Sequence, residues 1–437
     1  MNDLSSSIPE PFICRAEPCT GAIFMRRTIP SDTRGVQPMA RYRNLATAAV
    51  FTLALLTTAA GHAQMSDKYQ PNAESKKYPE GSALERKARM SAIANNPAYT
   101  RKFDLSALPD YVPQDKPTGT VRVCGNNYLG DSPLGGWWKD AFNKYQPGIT
   151  IEYDLETAAD AIPCVYLGKA DIGVTHEPSF YDYLSYQRLK GNAPTGITIL
   201  TGSYDVVGWQ NNMVIVVNKA NPLTKISMTQ LDGIFGSQRA GGWVRTAWHP
   251  EFARGADKDI RHWGQLGLSG DWAGKPIDTY GYSLRYATAL EFSDKVMHSS
   301  DKWNENLLGF GNYAKADGKT YLEGDQIVDH VRDDPNGIGF VRYHPNFPTD
   351  VKILDLGVTD AGPFVHYSMD TLQNHSYPLW GGQSFWINIV PGKPVDPKIR
   401  EFIRFVLSKQ GQELLEKDGK YLPLDAATVK EGLKKLQ

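Results

Sequence analysis

From Gly119 onward, short apolar strand signals alternate with helical ones, and this alternation constrains the fold more than any other feature. VRVC (Val121–Cys124) is a short apolar strand, WWKDAFNKY (Trp137–Tyr145) has helical spacing, and ITIEYDL (Ile149–Leu155) alternates with a period of two. A helix near Thr157–Gly168 and a short strand at Asp171–Val174 follow. MVIVVN (Met213–Asn218) reads as a buried strand. SMTQLDGIFG reads as a short helix with Ser227 and Gln230 as its capping box and Gly236 as its end. PIDTYGYS gives a strand and turn ahead of a helix at about Tyr286–Met297. A last, long helix opens with Asp396 as N-cap and Pro397 at the first helical position. It carries an apolar stripe through Ile399, Phe402, Ile403, Val406 and Leu407 to Leu415, and Gly419 stops it. Strands and helices in this order imply an α/β fold with a mostly parallel sheet.

The part before Gly119 is of another kind. Residues Leu45–Ala60 form an apolar run preceded by Arg41 and Arg43 and followed by Gly61, His62 and Ala63. A basic start, a short apolar stretch and small residues at the cleavage positions make a secretory signal. The run is short of the ~20 residues that span a bilayer. Translation is expected to start at Met39 and cleavage to follow Ala63, leaving a mature chain from Gln64. No cysteine stands near the cleavage point, so the reading is a periplasmic protein without a lipid anchor. Residues 64–118 are polar and punctuated by Pro109, Pro113 and Pro117, an extension rather than a domain.

Charge and motifs exclude several functions. With 47 Lys+Arg against 48 Asp+Glu, the chain has no basic footprint for nucleic acid. It has no Walker loop, no full dinucleotide fingerprint and no Gly-x-Ser-x-Gly elbow. Its nine histidines make no zinc pattern, so no metal and no cofactor are expected. His176-Glu177 stands apart because it follows a strand end, where α/β proteins place ligands. Of the four cysteines, only Cys124 and Cys164 survive removal of the signal region, and in an oxidising compartment they could pair or remain two buried thiols.

Seven segments in order carry a resemblance. They are GKADIGVTHEP (Gly168–Pro178), MVIVVNKANPL (Met213–Leu223), MTQLDGIFGSQRAGGW (Met228–Trp243), PIDTYGYSLRYATALEF (Pro276–Phe292), NGIGFVRY (Asn336–Tyr343), SYPLWGGQSFWI (Ser376–Ile387) and FVLSKQGQELLEKDGKYLPL (Phe405–Leu424). Together they resemble the phosphate-type periplasmic solute-binding proteins of ABC transporters. The resemblance implies a two-lobed Venus-flytrap fold of the type II periplasmic binding class, with a mixed, mostly parallel sheet in each lobe. Lobe 1 would take residues 119–208 and 378–437, and lobe 2 residues 209–377. It further implies a small-molecule ligand in the interlobe cleft, a membrane permease as partner, and a monomer without enzymatic activity. In this fold Cys124 and Cys164 would be neighbours, which makes them a disulfide candidate.

Mapped onto this chain, the family's phosphate loops are altered throughout. Asn126, Asn127 and Tyr128 stand where small hydroxyl residues belong after the first strand. The helix nest reads Glu156-Thr157-Ala158-Ala159-Asp160, without serines and with two added carboxylates. His176 takes the place of a proton-accepting carboxylate. Tyr282 replaces a clamping arginine and Tyr286-Ala287-Thr288 replaces Ser-Gly-Thr, with Arg285 three residues off register. Carboxylates near a phosphate dianion repel it, and tyrosines suit a larger organic ligand. The expectation is a solute-binding protein whose ligand is not simple orthophosphate. The alternatives are a ligand-less sensor or envelope interaction protein on the same fold, and a periplasmic hydrolase with His176 and Glu156 or Asp160 as its acid–base pair.

Overall fold

The computed structural model describes residues 99, 101–206, 209–316, 320–343 and 347–437. The signal region, the Met39 start and the Ala63 cleavage site lie outside these residues, as does all of 64–98.

Two five-stranded sheets organise the chain. The first begins with β1 (Gly119–Gly125), β2 (Ile149–Asp154), β3 (Ile172–Thr175) and β4 (Thr195–Thr201). The second consists of β5 (Met213–Asn218), β6 (Asp278–Tyr282), β7 (Leu308–Phe310), β8 (Gly337–Arg342) and β9 (Val351–Ile353). The chain then returns to the first sheet with β10 (Gly382–Ile387). The sheet orders are β2-β1-β3-β10-β4 and β7-β6-β8-β5-β9. In the first, β1 runs parallel to β2 and β3, and β10 lies antiparallel between β3 and β4. In the second, β6 runs parallel to β7 and β8, and β5 lies antiparallel between β8 and β9. Each sheet therefore has four strands in one direction and one reversed strand in the fourth position. The reversed strand is in each case the one that enters directly from the other lobe.

Each sheet has its own core. Around the first, α1 (Leu134–Tyr145) buries Leu134, Trp138 and Phe142 at helical spacing. In the second, Phe292 stacks on Phe340 with ring centres 4.0 Å apart, and Phe235 meets Phe340 edge-on at 5.3 Å. The architecture is a two-lobed, mixed α/β fold.

Where the chain changes lobes, two strands run side by side. Gly202 N donates to Gly381 O at 2.8 Å, Gly381 N to Asn212 Oδ1 at 2.8 Å, and Met213 N to Leu379 O at 3.1 Å. This close approach needs glycine: a Cβ on Gly381 would lie 2.1 Å from Asn211 O.

The C-terminal part corrects one expectation. A single helix was expected from Asp396 to Gly419, whereas two are formed, Pro397–Leu407 and Lys409–Asp418. Ser408 takes an extended conformation and its hydroxyl accepts from Gly411 N, so it caps the second helix and breaks the first. The extension before Gly119 packs on lobe 1 through Leu105, Leu108 and Tyr111, whose hydroxyl donates to Glu401 at 2.7 Å.

Candidate functional site

A cleft of about 670 Å³ lies between the lobes. Lobe 1 lines it with Thr157–Ala159 at the start of a short 3₁₀ turn and with the stretch Thr175–Tyr183. That stretch runs from the end of β3 into α2 (Phe180–Lys190). Ser179 and Asp182 form a reciprocal capping box that fixes the start of α2. Lobe 2 contributes α3 (Ala287–Met297) through Ala287, Leu290, Glu291 and Asp294. A hairpin closes the mouth. Its strands Gly242–Val244 and Ala247–His249 are joined by Arg245-Thr246, with Arg245 in the left-handed region at φ 56°. Trp243 meets Phe180 with centroids 5.1 Å apart, the Arg245 guanidinium lies 5.1 Å from the Tyr183 ring centre, and Thr246 Oγ1 donates to Gln187 Oε1 at 2.6 Å.

At the hinge end, charges converge. Arg342, the last residue of β8, donates from Nη1 to Gln210 O at 2.8 Å and from Nε to Thr288 Oγ1 at 3.2 Å. Its Nη2 lies 3.4 Å from Glu291 Oε2, and Lys295 Nζ lies 3.4 Å from Glu291 Oε1. Lys295 also donates to Trp380 O. Burial alone would raise the Glu291 carboxyl, but Lys295 and Arg342 outweigh it and the net shift is downward. Burial lowers His176; Glu291 opposes this, while Arg342 and Lys295 add to it. Glu177 is raised by burial, eased by a hydrogen bond from the Tyr183 hydroxyl, and raised further by Asp294 of the other lobe.

No family model matches the chain. It is 26% identical over 333 residues to the phosphate-binding protein PstS of Pseudomonas aeruginosa strain PAO1, an alignment covering 76% of this chain and 91% of the relative. The PstS of strain UCBPP-PA14 gives the same figures. The chain is thus similar in sequence to PstS phosphate-binding proteins. Among solved structures, PstS from Borrelia burgdorferi is 13% identical, covering 70% of this chain and 99% of that one at a TM-score of 0.44. An ABC-type phosphate transport receptor from Vibrio cholerae is 16% identical, covering 69% and 99% at a TM-score of 0.41.

The residues singled out by sequence fall into two groups. Thr157 and His176 line the cleft, with His176 Nδ1 sharing a hydrogen bond with Thr175 Oγ1 at 2.9 Å. Buried Thr288 holds Arg342 at the hinge end. The others are engaged elsewhere. Asn126 caps a short helix by accepting from Tyr128 N, Asn127 bonds Asp131, and the Tyr128 ring meets Trp209. Neither Glu156 nor exposed Asp160 lines the cleft. The charges acting on His176 come from Glu291 and Arg342 rather than from those two carboxylates. Tyr282 is buried in the lobe 2 core and its hydroxyl accepts from Arg342 N at 3.0 Å. Tyr286 precedes α3 and accepts from Asn312 N, and Arg285 is exposed in the turn before it. Cys124 and Cys164 are disulfide-bonded, with Cα atoms 6.6 Å apart.

Sequence reasoning missed Arg342, Glu291, Lys295 and Arg245, while it singled out Glu177 with His176 only for its place at a strand end. Arg342 carried a usable signal, as the lone charge closing the apolar run IGFVR at a strand's C-terminal end. Glu291 and Lys295 carried none, since an i, i+4 pair on a helix reads as a solvated face.

Proposed function

We propose that the chain is a periplasmic solute-binding protein that captures a cation-bearing organic molecule in the interlobe cleft and delivers it to the permease of an ABC-type transporter. The cleft lining carries this reading. Glu177 and Asp294 approach from opposite lobes among apolar Leu284, Ala287 and Leu290, and Arg245 is the one Lys or Arg among the described lining residues. A cation between the two carboxylates would relieve their mutual repulsion and draw the lobes together, which is ligand-driven closure. Capture and release need no chemistry, and the charges acting on the buried His176 are those of Glu291, Arg342, Lys295 and Asp182.

A thermal-shift screen of amines, amino acids, quaternary ammonium compounds, carboxylates and oxyanions tests this. A ligand at ~100 times its dissociation constant stabilises by ~2.7 kcal/mol, a readily measured shift. Cation-bearing compounds should raise the melting temperature, Asp294→Asn should diminish the effect, and millimolar phosphate should leave it unchanged. An upward shift with phosphate and none with any cation would overturn the reading.

A further inference from the structure

We infer that Glu291 is a tethered anion: its carboxylate fills an oxyanion subsite built by Arg342, Lys295 and Thr288 at the hinge end of the cleft, and so keeps free oxyanions out. This rests on the cleft being the ligand site.

The anchoring of the cations comes first. Arg342 is held by Gln210 O and Asn211 Oδ1 of the crossing segment and by Thr288 Oγ1, and Lys295 by the carbonyl of Trp380. None of these contacts involves Glu291, so both positive groups remain in position without it. The fit of the carboxylate is the second observation. Both of its cation contacts are 3.4 Å, longer than the ~2.7–2.9 Å of a tight charge-assisted hydrogen bond. One carboxylate also faces two cations, which leaves a net positive charge around it. Location is the third. Glu291 lines the cleft, and the Arg342 and Lys295 side chains behind it keep 26% and 24% of their surface exposed, so the cluster is not sealed inside one lobe. Glu291 is 9% exposed, a burial at which water screens the attraction only in part.

The experiment compares inorganic phosphate binding by isothermal titration calorimetry in wild type, Glu291→Ser and Glu291→Gln. Serine vacates the subsite and should improve phosphate affinity by about tenfold or more over wild type; glutamine removes the charge but not the bulk and should give a smaller gain. The gain should vanish in the Glu291→Ser/Arg342→Met double variant. If one single variant does not fold, the other carries the comparison. No gain in any folded Glu291 variant overturns the role, as does a gain that persists without Arg342. Amine binding by the wild type without phosphate gain in the variants refutes the Glu291 role and leaves the cationic-ligand reading standing. Phosphate gain in a chain that takes no cation does the reverse.

Discussion

Acidification should weaken the junction between the lobes through one histidine. His375 stacks on Trp380 at 3.5 Å with 5° between the planes. Its Nε2 shares a hydrogen bond with Thr201 Oγ1 at 2.7 Å, at the end of β4, and its Nδ1 lies 3.3 Å from Thr428 Oγ1 in the last helix. Burial is the main cause that lowers its pKa from 6.5 to about 4; Asp425 opposes the shift and Lys295 adds to it. Between those two values the unfolded chain binds a proton that the folded chain refuses, so stability falls as the pH drops from about 6.5 towards 4 and then levels off. The full difference is about 3 kcal/mol, of which about 2 kcal/mol is lost by pH ~4.5. Urea unfolding of wild type and His375→Asn at pH ~7.5 and ~4.5 measures it. Asparagine tolerates the left-handed backbone at this position, where φ is 58°. His176 and His298 are also lowered, chiefly by burial, but they are common to both chains and cancel in the difference. The wild type should lose about 2 kcal/mol more than the variant. Equal losses in the two chains would refute the reasoning.

Two further outcomes follow from the cores. Replacing Cys124 and Cys164 by serine should cost about 2–4 kcal/mol, since their bond closes a loop with a sequence separation of 40; unchanged urea midpoints would contradict this. Asp232→Ala should cost about 3–5 kcal/mol, because it strands the buried Arg239 guanidinium that donates to both carboxylate oxygens at 2.5 and 2.7 Å. Thermal unfolding checks it, and a loss under ~1 kcal/mol would be too small.

The fold was legible because its strands are short, apolar and separated by helical spacing. Met213–Val217 is wholly buried, and a short, β-branched apolar run of this length reads as a central strand. The capping box at Ser227 and the Asp396-Pro397 helix start were readable for the same local reason. The break at Ser408 was not, since serine reads equally well as an interior helix residue. The site was harder. Tyr282 was placed in the pocket by correspondence with a family position, yet its ring fills the lobe 2 core. The guanidinium at the hinge end comes instead from Arg342, sixty positions along the chain. Only the pairing of β6, β8 and β5 in one sheet brings it beside Thr288 and Glu291, and no local pattern records that.

The place of β10 has a consequence for how the chain becomes a protein. Its residues, Gly382–Ile387, separate β3 from β4, two strands that lie far earlier in sequence and never pair with each other. Until that late segment exists, the first sheet has a gap between β3 and β4 and two unsatisfied edges. The second sheet is drawn entirely from Met213 to Ile353, so all its strands are available sooner. During N-terminus-first synthesis or threading the second lobe is therefore the first that can complete itself, while the lobe begun earliest waits for the chain's last quarter. Closing the gap means joining strands of very large sequence separation, the slow kind of contact. The sheet that begins first in the sequence is the one whose last strand comes latest.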